Sequence, residues 1–129
     1  VIAHVQTADG VAVVDLDEES LVALEPSAPF EAPAQPAVEL PLVVASAVAG
    51  STVVAVVDTK PPIVVSHDAG STWRESGRGL PAGRAVAISD EDPDVVLYAT
   101  RNRLYLSRDG GRFWRSLALE LPEIEAVAL

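Results

Sequence analysis

Any chemistry done by this chain must be drawn from nineteen carboxylates, two histidines, two tyrosines and its hydroxyls, because it contains no cysteine. The absence of cysteine rules out both a disulfide framework and a thiolate metal site. Two hydroxyl–carboxylate pairs recur, Ser66 with Asp68 and Ser107 with Asp109, each two residues apart and each followed by a glycine, Gly70 or Gly111. A carboxylate in that setting accepts several backbone amides and locks a turn, so the pairs read as structure before catalysis. The acidic run Asp90-Glu91-Asp92-Pro93-Asp94 reads first as a polar turn and second as a cation-binding loop. His4 and His67 fall in different parts of the chain with no second ligand at metal spacing, so no metal site is expected. No glycine-rich phosphate loop, nucleophile elbow or zincin motif occurs, and no cofactor is expected.

The elements that position these residues are set by a repeat. Ser66-His67-Asp68-Ala69-Gly70-Ser71-Thr72-Trp73 returns 41 residues later as Ser107-Arg108-Asp109-Gly110-Gly111-Arg112-Phe113-Trp114, with Ser, Asp, Gly and Trp in register. Leu80-Pro81 ahead of Ala85–Ile88 matches Leu121-Pro122 ahead of Ala126–Leu129 at the same step, and Leu40-Pro41 opens a unit 40 residues earlier. That period falls in the ~40–45 residue range of four-stranded propeller blades. Within a unit, short β-branched and aromatic runs are separated by polar turns, and the first run is apolar on both faces, as an innermost strand flanked by other sheets must be.

At Ser66–Trp73 and Ser107–Trp114 the chain resembles the Asp-box, or bacterial neuraminidase, repeat family, whose pattern is Ser-x-Asp-x-Gly-x-x-Trp. The resemblance covers residues 40–129 well and residues 1–24 loosely, where Asp15–Val22 keeps Asp17 and lacks the Gly and Trp. It implies an all-β fold of propeller blades, each of four antiparallel strands. It does not imply one activity, since the family includes sialidases, xyloglucan-active glycosidases, the luminal domain of sortilin and photosystem II assembly factors. A sialidase of that family would need an arginine cluster, a tyrosine nucleophile with its Glu partner and an acid Asp. The early Phe/Tyr-Arg-Ile-Pro motif is absent, and Tyr98 and Tyr105 lie inside expected strands. The resemblance gives Ser66, Asp68, Gly70, Trp73, Ser107, Asp109, Gly111 and Trp114 a structural role, with both indoles burying large surfaces against a neighbouring blade.

The repeat divides the chain into a first blade at 1–24 plus 123–129, a Pro-rich segment at 25–39, a second blade at 40–76 and a third at 80–118. The first unit lacks an innermost strand, and the segment 123–129 is an innermost strand with no unit after it. Three blades cannot close a ring, since closed propellers have ~4–8. The expectation is therefore a homodimer, half of a six-bladed propeller per chain. Ile124, Val127 and Leu129 of one copy would pair with the strand carrying Ile2 and Val5 of another.

Charge fits the same scheme. Residues 1–59 hold nine acids and no Lys or Arg, whereas every basic residue lies between Lys60 and Arg115. Asp15, Asp17, Glu18 and Glu19 of one copy would meet Arg101, Arg103, Arg108, Arg112 and Arg115 of the other, the alternative being two solvated faces. The segment Glu25–Glu39 reads first as a surface linker and second as a semi-rigid strap anchored by Phe30. A net charge of −10 argues against nucleic acid as a partner. No apolar run approaches the roughly 20 residues of a membrane helix, and no secretory signal is visible, which makes the cytoplasm the default expectation. The functional expectation is a non-catalytic scaffold that binds a protein or other ligand, and the alternative is a glycan-binding or glycoside-hydrolysing module.

Overall fold

The computed structural model describes residues 1–129 as twelve β-strands and no helix. They run as β1 (Ile2–Thr7), β2 (Gly10–Asp15), β3 (Ser20–Glu25), β4 (Val43–Ala49), β5 (Thr52–Val57), β6 (Ile63–Ser66), β7 (Arg74–Ser76), β8 (Ala85–Ile88), β9 (Val96–Ala99), β10 (Arg103–Ser107), β11 (Arg115–Glu120) and β12 (Ile124–Ala128). They form three four-stranded sheets in which every pairing is antiparallel. The first sheet has the order β12-β1-β2-β3, the second β4-β5-β6-β7 and the third β8-β9-β10-β11. No helix is long and apolar enough to cross a membrane.

The third sheet lies between the other two. One of its faces packs Leu97, Leu104 and Leu106 against Val5, Val14 and Leu16 of the first sheet and the β2–β3 turn. Its other face packs Val86, Val96 and Tyr98 against Val54, Val56 and Val65 of the second. Strands such as β5 and β9, whose residues are all buried, are accordingly apolar on both faces. The innermost strands β4, β8 and β12 lie side by side. They carry alanine at Ala45, Ala47, Ala85, Ala87 and Ala126, interleaved with larger residues such as Val86 and Val127, because the closely approaching inner strands leave limited space. Toward the outside the sheets diverge, and Leu104, Leu117 and Tyr98 fill the wider space.

Strand β12 pairs with β1 of its own chain, with His4 opposite Ala128, Val5 opposite Val127 and Gln6 opposite Ala126. The expectation that this strand comes from a second copy is corrected by that pairing. The two ends of the chain meet without exchange because the first sheet sits beside the third, and only three residues separate β11 from β12. Ile124, Val127 and Val5 are buried in the shared core, Leu129 packs on its edge, and Ile2 is exposed on the opposite face.

The same placement makes the expected charge pairing internal. Arg108 bonds Asp17 at 2.8 Å and Arg115 bonds Glu19, both within one chain. Arg101 and Arg103 meet Glu123 and Glu120 instead of the acidic turn, and Arg112 pairs with no acid. The segment between β3 and β4 has no regular structure and turns back onto the second sheet. The Ser46 amide donates to Gln35 Oε1 at 3.0 Å, and the Ser46 hydroxyl donates to the Pro36 carbonyl at 3.0 Å.

Candidate functional site

Each Ser-x-Asp-x-Gly-x-x-Trp turn links the third strand of its sheet to the fourth. In the second sheet, Asp68 Oδ1 accepts the Ser66 hydroxyl at 2.7 Å and the Thr72 amide at 2.8 Å, while Oδ2 accepts the Thr72 hydroxyl at 2.5 Å. Ser66 Oγ in turn accepts the Gly70 amide at 2.7 Å. In the third sheet, Asp109 Oδ1 accepts the Ser107 hydroxyl at 2.8 Å and the amides of Arg112 and Phe113, both at 3.1 Å. Ser107 Oγ accepts the Gly111 amide at 2.9 Å. Gly70 and Gly111 hold φ values of 90° and 89°, which side-chain-bearing residues rarely adopt.

These bonds set the charge state of the turns. The Thr72 hydroxyl, the Thr72 amide and the Ser66 hydroxyl hold the Asp68 carboxyl down at about 2. Burial works to raise the Asp109 carboxyl, yet the Phe113 amide, the Ser107 hydroxyl and the Arg112 amide outweigh it and leave the group below its usual range. A carboxylate kept ionised in this way is a poor proton donor. Tyr98 is equally ill suited to nucleophilic work. Its hydroxyl donates to the Pro81 carbonyl at 2.6 Å, and burial followed by the influence of Tyr105 pushes the phenol well up.

The two tryptophans differ. Trp114 is half-buried against the core between the second and third sheets, edge-on to Tyr98 at 5.9 Å, and its indole N–H donates to Ser76 Oγ at 2.9 Å. Ser76 Oγ also donates to the Gly111 carbonyl, so one hydroxyl at the end of β7 ties the third sheet's turn to the second sheet. Trp73 is also half-buried, but it joins neither core cluster, since its own sheet has no neighbour on that side. Within one chain, Trp114 packs against a neighbouring sheet and Trp73 does not.

In the degenerate turn the carboxylate that accepts the turn amides stands two positions before the expected Asp17. Asp15 Oδ1 accepts the amides of Asp17 and Glu18 at 2.9 and 3.1 Å, taking the role that serine has in the other turns, while Asp17 reaches Arg108. Glu19, not singled out individually, bonds Arg115 and accepts the Ala118 amide at 3.2 Å, which fastens this turn to β11 as Ser76 fastens Trp114 to β7. Ser76 was also missed, since it stands outside the recurring positions. Strand β11 begins only at Arg115, because the Phe113 amide is still spent on Asp109.

Beside Trp114, between β7 and the third sheet's turn, lies an open groove of about 490 Å³. Its floor is Val65, Leu80 and Trp114, and its rim carries Arg74, Arg78 and Arg112 with Phe113, a residue 78% exposed. Elsewhere, no group of three His, Asp or Glu residues gathers at separations that would hold a metal ion. Asp90–Asp94 forms a turn in which the Asp92 amide meets Ser89 Oγ and the Asp94 amide meets Asp92 Oδ1.

No protein-family model matches the chain, and no curated protein does. A GH74 enzyme of Niastella koreensis, known from its crystal structure, matches over 92% of this chain with a TM-score of 0.50 and 24% identity. The fold is all-β and propeller-like. At that identity the likeness is one of fold, and this chain spans 17% of the length of the enzyme it matches.

Proposed function

We propose that the chain is a non-catalytic propeller segment that serves as a scaffold and binding module, two copies closing a six-bladed ring through their outer sheets. One observation carries the reading. The third sheet is covered on both faces, while on the outer faces of the first and second sheets Val53, Ala55 and Val57 are buried but Ile2 and Val48 stay partly in water. On the second sheet Val48, opposite Val53, points away from the third sheet and is 42% exposed. On the first, Ile2 is turned the same way outward at 42%. Two-fold pairing of first sheet with second covers both flanks at once and needs no exchanged strand.

The experiment is the molar mass in solution by light scattering. Twice the 13.5 kDa of one chain is expected, and Val48→Glu should return it to a single chain. A single-chain mass for the unaltered protein, with cooperative unfolding, overturns closure.

A second reading, a glycan-binding or glycan-hydrolysing module, is favoured by the structural likeness to a GH74 enzyme. Fluorogenic glycosides separate the two. Turnover abolished by one Asp or Glu substitution in a folded protein would establish the second and refute the first.

A further inference from the structure

The groove between β7 and the third sheet's turn has a composition that the turn itself does not require. Arg74, Arg78 and Arg112 take part in none of the chain's ion pairs, although the molecule carries a net charge of −10 and five of its other arginines each find a carboxylate. Three unpaired guanidiniums against the one carboxylate of Glu75 leave the depression with a local positive field, which short-range screening of ~8 Å isolates from the acidic remainder. Below them the floor of Val65, Leu80 and the Trp114 ring is apolar, and exposed Phe113 stands at the rim. Strand β7 is also the last strand of its sheet, and its outer backbone edge bonds to no other strand.

We infer that this groove binds an acidic peptide segment of a partner protein. The segment lies extended along the free edge of β7, seats an apolar side chain on Trp114, Val65 and Leu80, and places its carboxylates on Arg74, Arg78 and Arg112. Edge addition supplies backbone hydrogen bonds, and planar guanidiniums grip carboxylates bidentately. A sugar fits the lining less well. Its hydroxyls require acceptors as well as donors, and beside the three arginines the groove offers as acceptor side chains only Glu75, His67 and Ser76, with no Asn, Gln or Asp. The Ser76 hydroxyl is already engaged by Gly111 and Trp114. The inference rests on the binding-module reading above and is independent of ring closure, since the groove lies wholly within one chain.

The test is fluorescence anisotropy with a labelled, extended peptide carrying several glutamates around one leucine. Saturable binding is expected, weakened at least roughly tenfold by Arg74→Gln with Arg112→Gln, in line with the loss of charge-assisted contacts. It should also be lost when the peptide's glutamates become glutamines. Arg103→Gln, remote from the groove and paired with Glu120, should leave binding unchanged. Neither groove arginine has a partner to lose, so the variants should keep the parent's circular dichroism and melting midpoint. No saturable binding, binding indifferent to the double substitution, or binding of an oligouronide in place of the peptide would each overturn the inference. Light scattering on the same samples reports closure separately, so the two readings fail in different measurements.

Discussion

At the scale of single residues, the turns are held by carboxylates whose acceptors are consumed locally. Asp68 makes three such bonds and titrates at about 2, below the ordinary carboxylate value of ~3.9. A pKa depressed on folding contributes stability that is fully present above the unfolded value and is lost as pH falls through the folded one. Chemical-denaturation midpoints should therefore fall between about pH 4 and about pH 2, and Asp68→Asn should flatten the fall in that window. An unchanged slope in the variant would mean that the bonds to Thr72 and Ser66 do not hold the group in solution. The recurrence of Ser, Asp, Gly and Trp made these residues legible in sequence. Asp15 was not, because an aspartate at the serine position of a decayed repeat looks like the neighbour of the carboxylate it replaces.

At the scale of the element, the two equivalent glycines are unequal. A Cβ at Gly111 would stand 3.0 Å from Val65 Cγ2 in the adjacent sheet, whereas one at Gly70 would meet only the Trp73 ring at 3.6 Å. Both substitutions to alanine incur the strain of positive φ, of order 1–2 kcal/mol. Gly111→Ala should cost about 1 kcal/mol more, because its neighbour belongs to a packed core. Urea denaturation of the pair measures the difference, and equal losses would mean that the interface yields freely at Val65. Alternation and turn chemistry gave the strands from sequence, since Val, Ile, Tyr and Leu recur between polar turns. They could not give Ser76, whose contacts with Gly111 and Trp114 span 35 and 38 residues and leave no local pattern. The groove arginines were equally silent, because a lone Arg on an outer strand resembles any solvated charge.

At the scale of the molecule, the sequence shows one strand too few at its start and one too many at its end, but not which sheets become neighbours. That depends on Leu16, Glu19 and Asp17 fitting against the third sheet, which is three-dimensional information. Removal of Glu123–Leu129 should expose the β1 edge and strip Ile124 and Val127 from the core around Val5. Hydrogen exchange should then show loss of protection across β1, β2 and β3, with β5 and β6 still protected. Uniform protection throughout would mean that the first sheet does not need its fourth strand.

The pairing of β12 with β1 also gives the architecture a cyclic order. Because His4 faces Ala128, a short linker from Leu129 to Val1 would join those strands as a hairpin. Reopening the chain between β3 and β4 would then let every sheet be written as four successive strands, in the spatial order second, third, first. The long proline-bearing crossing from β3 to β4 has to carry the chain from the first sheet to the second, with the third lying between them.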